Sequence, residues 1–425
     1  MANFRISNTG LVMFDQALVS GSNFLTGVLL ARVLGLDVFG YYSLSWVLVL
    51  VMNNLQISLV VAPMMSLYPL QKDEETRFFL GAIVLQQMVF LIASTIIILL
   101  SIYIAVSIFG VDLLSQVAIP LTCAASGFLL QDFVRRSYFA LGDSIRPVVS
   151  DMVSYLGQLV IFATIFFVFD LEATLYRVLW VMAFTSLVGA LLGAGLLNLI
   201  EFERKAINKF VRESLNFSKW LSFAGVFQVM AMNFYVFVAA AILGPAAAGG
   251  IKAAQNLVGV LKVMYQGLNN IIPRETSRLI QKEGDLALMK YVINITIKWG
   301  AVALTFTAAI FAMPAFLMST IYGNEYAGYS DVLAWFAVIY FMAFFEIPIW
   351  SYLRAMQETR SIFSCSLIML VVSLITAYPF CYYWGINGAM FGMLVTTFSM
   401  IAFSARSARV VHLRLINKKV YREYS

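Results

Sequence analysis

The sequence predicts an all-α, polytopic membrane protein. Hydrophobic residues make up 61% of its 425 residues and charged residues only 12%, and the mean hydropathy is +0.87. Apolar runs of roughly 20 residues or more recur along the chain, and at about 1.5 Å per residue each can cross about 30 Å of hydrocarbon. A water-soluble domain does not carry this much apolar surface, so the helices must face lipid.

The first two predicted spans are joined by a turn at Leu34–Gly40. Gly35 and Gly40 tolerate positive φ and Asp37 hydrogen-bonds its own backbone, so we expect the chain to leave the membrane here and return. Hydropathy and similar turns predict ten further spans. The twelve predicted spans are 11–34, 41–67, 79–109, 115–141, 148–169, 177–200, 220–243, 250–272, 291–321, 331–353, 362–383 and 388–404.

Positive charge is concentrated on one side of the predicted membrane. The N-terminus and every second connection together hold 23 of the 28 Lys and Arg residues. By the positive-inside rule, both termini are expected in the cytoplasm, and all outer loops are short. Residues 1–10 lead directly into a helix that is too long for a signal peptide, so we expect this end to remain uncleaved.

The spans are predicted to form two six-helix lobes, 1–200 and 220–404, followed by a basic cytoplasmic tail, 405–425. Between the lobes, 201–219 carries an apolar helical face and a basic polar face, which is typical of an interfacial helix; a solvated connector is the alternative. The halves are weak repeats, since Leu34-Gly35 and Gly40 match Leu243-Gly244 and Gly249 at an offset of 209. Six spans per half make the repeats parallel, with a cavity expected between the lobes.

Ionisable groups at membrane depth are costly and are the default functional candidates. Lys252 and Lys262 lie on one polar stripe of the eighth span, and Lys262 is too far from either end to reach water through lipid. It is therefore the leading candidate for a substrate ligand. The polar side chains that share its stripe, and are expected to line the cavity, are Gln255, Gln266 and Asn269.

Other spans add further candidates. Substrate-binding cations are predicted at Arg32, Lys298, Arg135, Arg136 and Arg354, and polar lining at Asn23 and Gln56. Arg32 could instead snorkel to the outer headgroups, and the amides could simply join helices. Asp15, Asp132 and Glu346 are candidates for coupling to H⁺ or Na⁺. For Asp15, pairing with a basic residue is the alternative. For Asp132, a same-helix ion pair with Arg135 or Arg136 is the alternative. Asp151 lies near the cytoplasmic end of its span and does not stand out.

Several function classes are excluded by composition. The only histidine, His412, lies in the tail, which argues against His-based triads and His-rich metal sites. The three cysteines lie within spans and suggest no disulfide framework. No Gly-rich phosphate loop or zinc motif is present. We therefore expect no catalytic residues, no metal, no cofactor and no nucleic-acid partner, and the cation excess within the spans suits an anionic cargo.

The run Ala31 to Tyr42, A-R-V-L-G-x-x-x-F-G-Y-Y after an apolar helix, resembles the opening signature of bacterial polysaccharide-biosynthesis membrane proteins. These are the Wzx-type flippases of lipid-linked oligosaccharides, in the superfamily that also holds multidrug and toxic-compound extrusion (MATE) transporters. The resemblance implies a MATE-like fold in the bacterial inner membrane. It also implies a polyprenyl-pyrophosphate-linked O-antigen or similar unit as cargo, with a polysaccharide polymerase and a chain-length regulator as possible partners.

Two alternatives remain open. An ion-coupled multidrug antiporter of the same superfamily would be expected to have an acidic or apolar cavity, which the cations on the eighth span disfavour. A membrane-embedded polysaccharide polymerase generally needs a large extracytoplasmic loop, and none is predicted here.

Overall fold

The computed structural model describes residues 8–72, 75–110, 112–259, 261, 264–265, 285–356 and 358–423. The described chain is 92% helix and holds no β-strand, which confirms the predicted all-α class. Within it, seven helices are long and apolar enough to cross a membrane. The chain divides into two compact units, Met1–Val226 and Phe227–Ser425.

The first unit is a succession of helices joined by short turns. Its α-helices are α1 (Asn8–Gln56), α2 (Ala62–Leu67), α3 (Thr76–Phe109), α4 (Asp112–Gln116), α5 (Ala118–Ala140), α6 (Ile145–Asp151), α7 (Gln158–Ala163), α8 (Leu175–Leu191) and the start of α9 (Arg204–Leu243). Three π-helical turns continue these helices, at Ile57–Val61, Met152–Gly157 and Thr164–Val168, and 3₁₀ turns lie at Tyr68–Leu70 and Ala194–Leu199.

The second unit begins within α9 and repeats the pattern. Its further helices are α10 (Pro245–Leu257), α11 (Asp285–Ala312), α12 (Pro314–Tyr322), α13 (Ser330–Phe344), α14 (Glu346–Ala355) and α15 (Thr359–Glu423), with a 3₁₀ turn at Asn324–Tyr329. A break at Gly385 divides α15 into two helices.

Matching backbone breaks mark the internal repeat. Gly35 interrupts α1 with φ 72° and ψ 171°, within the predicted turn, and Gly244 precedes α10 with φ 91° and ψ 169°. This region of backbone space is essentially restricted to glycine. The two glycines are separated by the offset of 209 read from the sequence. Asp170 and Gly385 also have positive φ, of 49° and 58°.

Some predicted boundaries were wrong. The predicted span 291–321 is broken, because α11 ends at Ala312 and a new helix begins at Pro314, whose ring cannot continue the preceding hydrogen-bond ladder. The predicted span 177–200 ends early, at Leu191. One continuous helix, α9, runs from Arg204, within the predicted linker 201–219, to Leu243, the end of the predicted span 220–243.

An apolar core in the first unit joins the start of α9 to α3 and α5. Phe210 is 1% exposed and packs edge-to-face on Phe79, with ring centroids 5.3 Å apart. Phe133 and Tyr138 of α5 belong to the same cluster. By contrast, the most apolar window of α3 is only 17% buried, as expected of a helix that faces lipid.

Candidate functional site

Three aspartates and two arginines meet inside the first unit. Arg135 and Arg136 stand on α5 with Asp132, whereas Asp15 comes from α1 and Asp151 from the end of α6. We call these five residues the acid–arginine cluster. Because its members come from three helices, the cluster depends on tertiary packing and not on one local motif.

Arg135 is the centre of the cluster. Its Nη2 donates to Asp15 Oδ2 at 2.9 Å, its Nε lies 2.6 Å from Asp151 Oδ2, and its Nη1 lies 3.9 Å from Asp132 Oδ1. The Nε contact is an ion pair that lacks hydrogen-bond alignment. The side chains of Asp15 and Asp151 are 1% and 0% exposed. One guanidinium therefore contacts two carboxylates that water does not reach.

Two side-chain amides and Arg136 donate further hydrogen bonds to the aspartates of the cluster. Arg136 Nε donates to Asp132 Oδ2 at 2.7 Å, and Asn53 Nδ2 donates to the same oxygen at 3.1 Å. Gln131 Nε2 donates to Asp151 Oδ1 at 2.6 Å. Charge-assisted hydrogen bonds of this kind stabilise ionised carboxylates away from water.

The cluster has one negative charge more than it has positive charges when all five groups are ionised. A buried net charge is costly, so the site favours one additional cation or proton. Asp15 Oδ1 is buried without a hydrogen-bond partner among the described residues.

The structure thus brings together four of the residues that the sequence singled out, Asp15, Asp132, Arg135 and Arg136. The Asp132–Arg136 pair is the same-helix ion pair left open as an alternative. Asp151 was passed over. The turn between α5 and α6 is centred near Gly142, and Arg135 and Asp151 lie at similar distances on either side of it. Residues at equal distances from a turn lie at the same depth in a helical hairpin. This spacing is the sequence feature from which an Arg135–Asp151 contact could have been predicted.

The predicted polar residues of the first unit have different surroundings. Gln56 is fully buried, and its Nε2 donates to Gln87 Oε1 at 3.2 Å and to the Leu129 carbonyl at 2.7 Å. This is the geometry of an amide that joins helices, the alternative left open from the sequence. Asn23 and Arg32 lie in the part of α1 that precedes Gly35, and both are exposed.

The described candidates of the second unit lie on α10, α11 and α14. Lys252 on α10 and Glu346 at the start of α14 are half-buried, and Lys298 on α11 is exposed. Gln255 is half-buried and hydrogen-bonds to Tyr340. Lys262, Gln266, Asn269 and the side chain of Arg354 lie outside the part of the chain that the structure describes, so their roles stay predictions.

Comparison with solved structures identifies the fold. The chain is similar to a multidrug resistance MATE family transporter of the MOP superfamily in its inward-facing conformation, with a TM-score of 0.76 and 14% identity over 95% of both chains. An outward-facing structure of such a transporter gives 0.68 and 14% over 97% of both chains. A MOP superfamily transporter from Pyrococcus furiosus gives 0.66 and 14%, over 95% of this chain and 96% of that one.

No protein-family model matches the sequence, and no curated protein does. The solved structures nevertheless establish the fold: the chain has the MATE transporter fold of a polytopic membrane protein, as predicted.

Proposed function

We propose that this protein is a flippase that moves polyprenyl-pyrophosphate-linked oligosaccharide across the bacterial inner membrane by alternating access. The observation that carries the proposal is the likeness to transporter structures over nearly the whole length of both chains. Its structural neighbours are transporters and not enzymes. The resemblance of Ala31–Tyr42 to polysaccharide-biosynthesis membrane proteins selects the lipid-linked cargo within that fold.

The distribution of charge supports an anionic cargo. The buried acids of the first unit lie in the acid–arginine cluster and do not offer a carboxylate surface to a cationic drug. Cations lie at Arg32 in the first unit and at Lys252 and Lys298 in the second, and Lys262 is the predicted ligand beside Lys252. Lysine and arginine bind phosphate oxygens by charge and by hydrogen bonding. In this proposal, the pyrophosphate is held by Lys252 and Lys262 while the polyprenyl tail stays in lipid.

The acid–arginine cluster is our candidate for proton coupling. Its excess negative charge and the unpartnered Asp15 Oδ1 favour uptake of one proton. Glu346 in the second unit stays a further candidate for coupling.

The alternative is an ion-coupled multidrug antiporter of the same superfamily. It is favoured by the neighbouring structures, which are named as multidrug resistance transporters. The Pyrococcus furiosus transporter is described as having a binding pocket of reverse polarity that suggests a different function. This fold is thus associated with pockets of more than one polarity, so pocket charge is the property that separates the two proposals.

Purified protein in proteoliposomes separates the two functions. We expect transfer of a fluorescent polyprenyl-pyrophosphate oligosaccharide between leaflets, loss of that transfer in Lys262→Ala, and no uptake of a cationic dye. Lys205→Ala is a matched control for charge alone and should retain more activity, because Lys205 is an exposed residue of α9 and is not among the predicted substrate ligands. Dye uptake driven by a pH gradient, without lipid transfer, would establish the antiporter instead.

The proposal carries expectations for the cell. The protein should reside in the inner membrane with both termini in the cytoplasm and should act before a polysaccharide polymerase and a chain-length regulator. Cells that lack it should accumulate lipid-linked precursor on the cytoplasmic leaflet. Normal surface polysaccharide in such cells would argue against the assignment.

A further inference from the structure

A groove of about 610 Å³ runs between α3 and the first part of α9 in the first unit. Leu85 and Val89 form the α3 side, and Ile207, Val211 and Leu215 form the apolar part of the α9 side, with Arg212 beside them. We call this the α3–α9 groove. Its volume lies within the range of about 300–1,000 Å³ that is usual for ligand sites.

The α9 side of the groove carries two parallel lines of residues. Ile207, Val211 and Leu215 recur every four residues and so share one face of the helix. Asn208, Arg212 and Asn216 follow one position later and form a polar line along the same groove. Val211 is half-buried and Arg212 is exposed. The groove therefore has an apolar interior and a polar, cationic edge.

The α3 side faces the hydrocarbon region. Leu85 and Val89 are 40% and 62% exposed on a helix whose most apolar window is only 17% buried. Leu85 lies nine residues into α3, which is about 14 Å along the helix from its predicted cytoplasmic end. An acyl chain can therefore enter the groove from the bilayer near its cytoplasmic surface.

Charge selects the headgroup. Two nearby cations already form ion pairs: Lys209 contacts Glu75 at 3.1 Å, and Arg77 contacts Glu201 at 2.9 Å. These pairs tie the start of α9 to the start of α3. No described acidic residue lies within 4.0 Å of the Arg212 guanidinium. A guanidinium at the edge of an apolar groove matches a phosphate attached to an acyl chain.

We propose that the α3–α9 groove binds one anionic phospholipid of the cytoplasmic leaflet. One acyl chain lies along Val89 and Val211, and the phosphate is held by Arg212. The bound lipid fills the space between α3 and the amphipathic start of α9 and so helps to hold that segment at the membrane surface. This inference does not depend on what the protein transports.

Native mass spectrometry of the delipidated full-length protein tests the proposal. Phosphatidylglycerol and phosphatidylcholine are added back separately, and binding is measured for the wild type, Arg212→Gln and Val211→Trp. We expect the wild type to prefer phosphatidylglycerol. Arg212→Gln should lose about tenfold in that affinity, as for one charge-assisted hydrogen bond, without a change for phosphatidylcholine. Val211→Trp should lose both lipids by filling the groove.

The matched control is Arg204→Gln, the same chemical change on an exposed residue of α9 that does not line the groove. It should bind like the wild type, and Arg212→Lys should retain most of the preference because it keeps the charge. Equal affinity of the wild type for the two lipids, or an effect of Arg204→Gln equal to that of Arg212→Gln, would overturn the proposal. Stronger binding of a polyprenyl phosphate than of phosphatidylglycerol, lost in Arg212→Gln, would assign the groove to the cargo lipid instead.

Discussion

At the scale of single residues, Arg135 is the cation that contacts all three aspartates of the acid–arginine cluster. Its side chain is 14% exposed and contacts three carboxylates, two of which have no access to water. Such an arrangement is not a source of great stability in itself, because burying the charges is costly. Removing one member, however, leaves the others uncompensated, and that cost is large. Substitutions in the cluster should therefore remove a charge and keep the size of the side chain nearly unchanged.

Arg135→Gln should destabilise the protein by about 3–5 kcal/mol, because it leaves Asp15 and Asp151 buried without their counter-charge. Arg146→Gln is the matched control, since Arg146 pairs with Asp143 at the surface and its loss should cost less than about 1 kcal/mol. Thermal unfolding of the detergent-purified variants measures both. Similar losses for the two variants would contradict the central role of Arg135.

Asp15→Asn should preserve folding better than Arg135→Gln, because it removes the excess negative charge while the remaining acids keep their arginines. It should also abolish the dependence of transport on an imposed pH gradient, if Asp15 carries the coupling proton. Proteoliposome transport with and without the gradient is the measurement. Asp112→Asn, on an exposed residue of α4, is the control and should keep the gradient dependence.

At the scale of helices, glycine breaks define where the chain reverses. Gly35 and Gly244 adopt the same backbone conformation at equivalent positions of the two halves, and each lies between two apolar helices. A turn that uses this conformation lets one helix end and the next begin without a long loop. The element boundaries thus depend on a few backbone positions more than on side-chain packing.

Gly244→Ala should destabilise the protein by about 1–3 kcal/mol, because φ of 91° with ψ of 169° is strained for any residue with a Cβ. Nothing lies within 4 Å of the added Cβ, so the loss would report on the backbone alone. Gly21→Ala is the control, in a helix interior with equal space, and should be neutral or stabilising by up to about 1 kcal/mol. Thermal unfolding that ranks Gly21→Ala as the more damaging change would refute this interpretation.

At the scale of the whole molecule, the arrangement of positive charge predicts the orientation in the membrane. A variant without native cysteines, with Cys123, Cys365 and Cys381 replaced by serine, permits single-cysteine labelling. Asp112→Cys should react with a membrane-impermeant maleimide in intact spheroplasts, whereas Arg204→Cys should react only after permeabilisation. The reverse pattern would place the termini outside and would also remove the cytoplasmic assignment of the α3–α9 groove.

Local sequence patterns predicted much of the fold. The apolar runs, the Gly35 turn and its repeat at Gly244 follow from residue types and spacing within one or two helices, and each appears in the structure. The boundary errors arose where a local element interrupted an apolar run, as at Pro314. Hydropathy averaged over a window does not detect such a short break.

The candidate site was predictable only in part. The costs of burying Asp15, Asp132 and Arg135 in a membrane marked them individually, since an ionised side chain in lipid is unfavourable wherever it lies. The cost of burial does not predict which of these side chains contact one another. Arg135 was expected to bind substrate, but the structure places it between carboxylates of three helices.

The sequence by itself determined that this protein is a helical, lipid-embedded chain with backbone breaks at Gly35 and Gly244, because hydropathy and backbone preference act over short distances along the chain. Only the tertiary structure decided that Asp151 joins Asp15 on Arg135, and that α3 and α9 leave an apolar groove beside Arg212. Both features depend on side chains from distant segments meeting at a particular depth, and that depth is set by helix packing and by the turns between helices.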